Sequence, residues 1–342
     1  MRATGEQSMR MAWLDCLRGV AAIVVVLFHL RSHIGLHDLG FGYLSVDLFF
    51  VLSGIVLGMR YTTSIANGMP LHEFAWHRLR RLYPMVLIAT ALIATSNALS
   101  LPVGQYLEAS PQGIWNVLFV TPSLKYPDFF PCDIPMWSLW AELASNVLWF
   151  VALRLGRRLT AAAFVVSMLA FAVLAIHRGN FHVGGGGGAR DLLQGLLRAF
   201  SWFGVGYGIA LSKPRRIAHP AVLAVALVLS CALFETHLLP ETVSGAILVL
   251  TGAALMISLM DLQPKSDFTR KLCAGLGMMS FPLYLIHVPA GQFAFYPIRL
   301  GMNPIAAILL TIAVAAFLAT LLNEAIVRGL PSRLVSFTPR TA

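Results

Sequence analysis

Ten stretches of this 342-residue chain are apolar enough, and nearly all long enough, to fill the hydrocarbon core of a bilayer. No other property limits its fold as sharply. A core of that thickness takes about 20 apolar residues per helix at 1.5 Å of rise each. The runs fall near 19–36, 42–59, 83–100, 137–155, 160–177, 191–211, 219–235, 241–260, 273–296 and 304–326. Charged residues make up 12% of the chain and hydrophobic ones 58%, against about 25% charged in a soluble domain. The expectation is an all-α polytopic membrane protein of about ten transmembrane helices.

Basic residues supply an orientation, because cytoplasmic loops carry the excess of Lys and Arg. With the N-terminus inside, the cytoplasmic segments collect Arg2, Arg10 and Arg18; Arg60, Arg78, Arg80 and Arg81; Arg154, Arg157 and Arg158; Lys213, Arg215 and Arg216; Lys265, Arg270 and Lys271; and Arg328, Arg333 and Arg340. Each such segment holds at least three, so ten spans with both termini inside form a consistent scheme. Six basic residues fall outside the pattern: Arg31, Lys125, Arg178, Arg190, Arg198 and Arg299. The same pattern accounts for the net charge of +10 without nucleic acid. The division expected is a cytoplasmic segment 1–18, a ten-helix domain 19–327 and a cytoplasmic tail 328–342. The first apolar run exceeds the ~7–15 residues of a signal peptide and lacks an A-x-A-like site.

Two outer segments are irregular. Residues 101–136 carry six prolines with aromatics between them and read as a loop or re-entrant lid. HVGGGGGAR, 182–190, reads as a flexible linker; a phosphate cradle would need the Lys-Ser/Thr and strand-helix context of a P-loop. Four scattered cysteines without CxxC or neighbouring His ligands give no metal site. No internal repeat is apparent.

Ionisable groups within spans are costly and usually face a cavity or a partner. In LRGVAAIVVVLFHL, 17–30, Arg18 and His29 stand eleven residues apart. Eleven steps of about 100° return to within about 20° of the start and rise ~16 Å. Both side chains therefore leave one face, Arg18 near the cytoplasmic surface and His29 past mid-membrane. Asp15, three residues before Arg18, can pair with it. Asp47 in SVDLFFVLSGIVLG can approach His29 from the next span and orient its imidazole, as a carboxylate does for a catalytic histidine. In HRLRRLYP, 77–84, Arg78 and Arg81 share a face while Arg80 points elsewhere. Two guanidiniums together suit a polyanion, although anionic lipid would also serve. Glu142 in PMWSLWAEL and His287 in SFPLYLIHVP lie toward the outer side.

Taken together, Arg18-x10-His29, the VDLFFVLSG run with Asp47, Arg78-x-x-Arg81 before Leu82-Tyr83-Pro84, Trp137-Ser138-Leu139-x-x-Glu142, and SFPLYLIH with His287 resemble the blocks of membrane acyltransferase family 3, in that family's order. The resemblance runs from Trp13 to about Arg328. Two departures stand out: Ile55-Val56-Leu57 where the family often has Phe, and a single Glu in the Trp137 block where many relatives have two.

The resemblance implies a bacterial inner-membrane O-acyltransferase with acetyl-CoA as donor and a hydroxyl of an extracytoplasmic glycan as acceptor, such as exopolysaccharide, O-antigen or a related oligosaccharide. Its partners would be acyl-CoA, a glycan or glycolipid, and membrane lipids, with a homo-oligomer or a polysaccharide-assembly complex left open. Some relatives relay the acyl group through a fused outer domain; here any relay would need a separate partner or be absent. On this expectation Arg78 and Arg81 clamp the donor, Arg18 holds its pantetheine-phosphate end or the thioester region, and His29 with Asp47 forms the catalytic pair, with Arg18 and Glu142 as further catalytic residues. Glu142, Trp137, Ser138 and His287 line the acceptor side. Direct transfer with His29 as base and transfer through an acetyl-histidine both fit. A proton-coupled transporter or flippase is the rival class, since intramembrane Arg, His and Asp also serve permeation paths.

Overall fold

The computed structural model describes residues 12–34, 39–99, 111–123, 129–130, 132–183, 188–212 and 217–329. The segment 1–11, the glycines of 184–187, Lys213, Arg215 and Arg216, much of 101–131 and the tail from 330 lie outside the described residues. The helices are α1 (Ala12–Ile34), α2 (Ser45–Arg60), α3 (Thr62–Ala66), α4 (Leu71–Ala98), α5 (Pro111–Phe119), α6 (Met136–Leu155), α7 (Arg157–Arg178), α8 (Ala189–Ser212), α9 (Pro220–Glu235), α10 (Glu241–Leu259), α11 (Asp267–Gly291), α12 (Phe295–Arg299) and α13 (Pro304–Gly329). A 3-10 turn, Gly40–Leu44, leads into α2.

Among the described residues, eight segments are long and apolar enough to cross a membrane: α1, α2 together with its leading 3-10 turn (Gly40–Arg60, 21 residues), α4, α6, α7, α10, α11 and α13. Against the expected ten, the two outside this set are α8 and α9. The first has 24 residues but carries Arg190, Asp191 and Arg198. The second is apolar but only 16 residues long, about 24 Å of rise against a ~30 Å core. On α7, Val166, Leu169, Val173 and Ile176 are all exposed, the surface expected to meet lipid chains rather than water.

Two close helix pairs frame the interior. On α2, a Cβ added to Gly54 would stand 2.0 Å from the Phe203 carbonyl oxygen, and one added to Gly206 of α8 would stand 1.9 Å from that of Val51. Only glycine at both positions lets these backbones touch. The pair runs parallel, which brings Asp47 beside Arg198. Helices α1 and α11 also pack in parallel, with Arg18 against Gly277 and Ser280 and His29 against His287. Around this frame Phe50, Val51, Ile55, Ala199 and Trp202 form the main buried cluster.

Candidate functional site

Between α1, α2, α4, α6 and α11 lies a basic cavity lined by Arg18, Arg78, Arg81, Glu142, Ser138, Ser280 and Tyr284. Its empty volume, open mouth included, is about 900 Å³. Arg18 is fixed within its own frame: Nε donates to Ser280 Oγ at 2.8 Å, Nη2 to the Gly277 carbonyl at 2.7 Å, and Asp15 lies 3.1 Å away. Arg78 is held differently. Its guanidinium rests over the rings of Tyr61 and Phe74 at 5.1 and 5.7 Å. It is buried, and its Nε and Nη2 have no hydrogen-bond partner. Arg81, one turn on, is exposed at the cavity wall, and Arg80 is not part of the lining.

Glu142 faces this basic cavity, where its Oε1 accepts from Ser53 Oγ at 2.7 Å. It was expected on the acceptor side with Trp137. Five residues of helix turn it about 140° from Trp137 and carry it ~7.5 Å deeper, so the two side chains serve different spaces. Ser138 also lines the basic cavity, and its hydroxyl meets that of Tyr284 at 2.5 Å.

A second cavity, called outer after the orientation expected from the basic residues, is lined by His29, Tyr43, Trp137, His182, Arg198 and Tyr284, among others. Val46 and Tyr284 belong to both linings, so the two cavities meet at these side chains. Tyr43 donates its hydroxyl to Glu241 Oε1 at 2.6 Å, and His182 sets its ring edge-on to Tyr43, 5.1 Å between centroids. His287 is buried behind His29, with its Nε2 3.3 Å from His29 Nδ1.

Asp47 does not orient His29. It is fully buried and takes a two-point ion pair from Arg198, Nε to Oδ1 and Nη2 to Oδ2, both at 2.7 Å. A buried carboxylate needs a full counter-charge and hydrogen bonds to both oxygens; Arg198 supplies both, whereas one imidazole could not. Arg198 further donates to the carbonyls of Val183 and Tyr43, at 3.2 and 3.3 Å, tying α2 and α8 to the outer loop. Arg198 and Tyr284 are among the site residues absent from the sequence expectation, with Tyr43, His182 and Ser280. The signal for Arg198 was its place within an apolar run, outside the positive-inside pattern. Among the described residues, no group of three or more His, Cys, Asp or Glu could hold a metal ion.

Comparison with known proteins places the chain in a family. An Acyltransferase domain family matches residues 11–324. "Protein 2 in picA locus" of Rhizobium radiobacter is 32% identical over 180 residues, covering 48% of this chain and 92% of that protein. O-acetyltransferase OatA of Staphylococcus aureus is 25% identical over 336 residues, covering 90% of this chain and 55% of OatA. YrhL of Bacillus subtilis, a candidate peptidoglycan O-acetyltransferase, is 25% identical over 315 residues, covering 81% and 48%. The chain thus spans about half the length of these two O-acetyltransferases. No solved structure matches it. Since the family match runs through every helix that lines the two cavities, the chain belongs to the acyltransferase family.

Proposed function

We propose that the protein is a multi-pass membrane O-acyltransferase that moves an acetyl, or another short acyl group, from a coenzyme A thioester on the cytoplasmic side to a hydroxyl of an extracytoplasmic glycan. Arg78 carries the reading. A buried guanidinium without partners on two of its nitrogens is costly unless a ligand completes it. It opens on the same cavity as Arg18 and Arg81, so the missing partner is an anion with several charges, as the phosphates of coenzyme A are. The orientation follows the Lys and Arg distribution, and the acetyl group and glycan follow the named activities of the relatives.

On this reading the nucleotide phosphates lie against Arg78 and Arg81, and the pantetheine arm passes Arg18 toward the junction at Tyr284. The ~16 Å rise from Arg18 to His29 suits an extended arm. The acceptor hydroxyl enters the outer cavity beside Trp137 and Tyr43. His29 takes its proton as the oxygen attacks the thioester carbonyl; the carbon–sulfur bond breaks, and the leaving thiolate collects the proton from the imidazolium. Glu142, held by Ser53, limits the positive charge of the basic cavity.

The test is transfer of labelled acetyl groups from acetyl-CoA to a polysaccharide acceptor by the purified protein in liposomes, without an ion gradient. Transfer is expected, with loss in His29→Ala. Undiminished transfer by that variant would sink the assignment of His29, and movement of acceptor only under a gradient would favour a transporter.

A further inference from the structure

Carbonyl groups fix the protonation of the two facing imidazoles, because a carbonyl oxygen only accepts. His287 Nδ1 lies 2.7 Å from the Tyr284 carbonyl oxygen and 3.2 Å from that of Leu283, so Nδ1 bears the hydrogen and Nε2 the lone pair. His29 Nδ1 lies 2.9 Å from the Val25 carbonyl oxygen and bears a hydrogen for the same reason. That hydrogen also faces the lone pair of His287 Nε2, 3.3 Å away. All these contacts agree on one pattern. It leaves His29 Nε2 with the lone pair, on a ring that lines the outer cavity.

We propose that His287 is a positioning residue for His29: it holds the Nδ1–H so that Nε2 is the base, and it shares the positive charge once His29 is protonated. The proposal rests on the reading of His29 as base. A carboxylate commonly fills this role, but Asp47, the acid expected for it, is committed to Arg198. The acceptor's proton goes to His29 Nε2, the Nδ1–H stays shared with His287 Nε2, and the Nε2 proton leaves with the thiolate. His287 therefore ends the cycle as it began. The other polar groups around the pair are Arg31 on α1, Tyr284 on α11, Tyr43 and His182 across the outer cavity, and the Arg198–Asp47 pair.

The experiment compares His287→Leu and His287→Gln in the acetyl-transfer assay across a pH series, with acetyl-CoA binding measured on the same preparations. Leucine removes the acceptor. Turnover is expected to fall roughly 10- to 100-fold, donor affinity to stay within about twofold, and the acidic limb to move to lower pH, since an unassisted imidazole is the weaker base. Glutamine offers Oε1 to the His29 Nδ1–H and is expected to restore most of the rate. A leucine variant as fast as the parent would overturn the proposal. So would leucine and glutamine variants that are equally slow with an unmoved pH profile, because that pattern marks packing alone. His29→Gln, run alongside, separates the failures. If it transfers acetyl normally, the base reading itself is lost. If it is inactive while His287→Leu is normal, only the role of His287 is lost.

Discussion

Arg78 and Arg198 are the same side chain, both buried in a membrane domain, yet one is finished by the fold and the other is not. Arg198 has both oxygens of Asp47 and two carbonyls. Removing one partner of such a pair strands a buried charge, at a cost of about 3–5 kcal/mol. Arg198→Met should therefore lower the melting temperature of the detergent-solubilised protein strongly, and adding Asp47→Leu should recover part of the loss. Arg78→Ala should do the opposite: leave stability unchanged or better, but weaken acetyl-CoA binding tenfold or more, read by titration calorimetry. Equal stability loss in the two would show that Arg78 is structural as well. Asp133, just before α6, is a third buried charge site, with neither carboxylate oxygen hydrogen-bonded. Burial pushes its carboxyl well above the usual range. The folded pKa lies above the unfolded one, so stability is greatest below about pH 3.9 and falls as pH rises toward the folded value. Asp133→Asn should thus raise the melting temperature at pH 7 and change it little near pH 4.

At the scale of helices, the sequence makes the apolar runs and single-helix phase plain. One-face placement of Arg18 and His29 came from counting residues, and the structure puts them in adjoining cavities. Which helices adjoin is another matter. Nothing in SVDLFFVLSG says that Asp47 meets Arg198, 151 residues away, rather than His29 nearby. Nor does the Trp137 block state that Glu142 looks into the basic cavity. The Asp47–Arg198 contact depends on two backbones approaching at Gly54 and Gly206, which a periodicity count does not register. The approach is testable on α8. Gly206→Ala drives a methyl group into the Val51 carbonyl and should cost at least the ~1–3 kcal/mol of an overpacked contact. Gly208→Ala, two residues on, meets nothing within 4 Å and should be neutral or stabilising by up to ~1 kcal/mol through helix propensity. Thermal melts of the two variants check the difference. Equal effects would mean that α2 and α8 do not pack at this distance.

For the whole molecule, the proposed function makes of two cavities that share Val46 and Tyr284 a division of labour across the membrane. The cations proposed to hold the donor line one cavity and the imidazole the other, so on that reading binding and transfer separate when the junction alone is obstructed. Val46 suits this purpose because it contributes no polar group, is buried on α2 and belongs to both linings. Val46→Trp adds an indole where the linings meet, in reach of the reactive end of the donor but not of its phosphates. Acetyl-CoA affinity should remain within about threefold of the parent, a difference below ~0.7 kcal/mol, while acetyl transfer to the outer acceptor falls at least tenfold. Val46→Ala, which widens the passage, should retain both. If Val46→Trp transfers acetyl at the parent rate, the acyl group does not cross between these side chains and the route through Tyr284 is wrong. If instead binding and transfer fall together, the donor's phosphates lie deeper than the Arg78 level, and the basic cavity holds the thioester rather than the nucleotide.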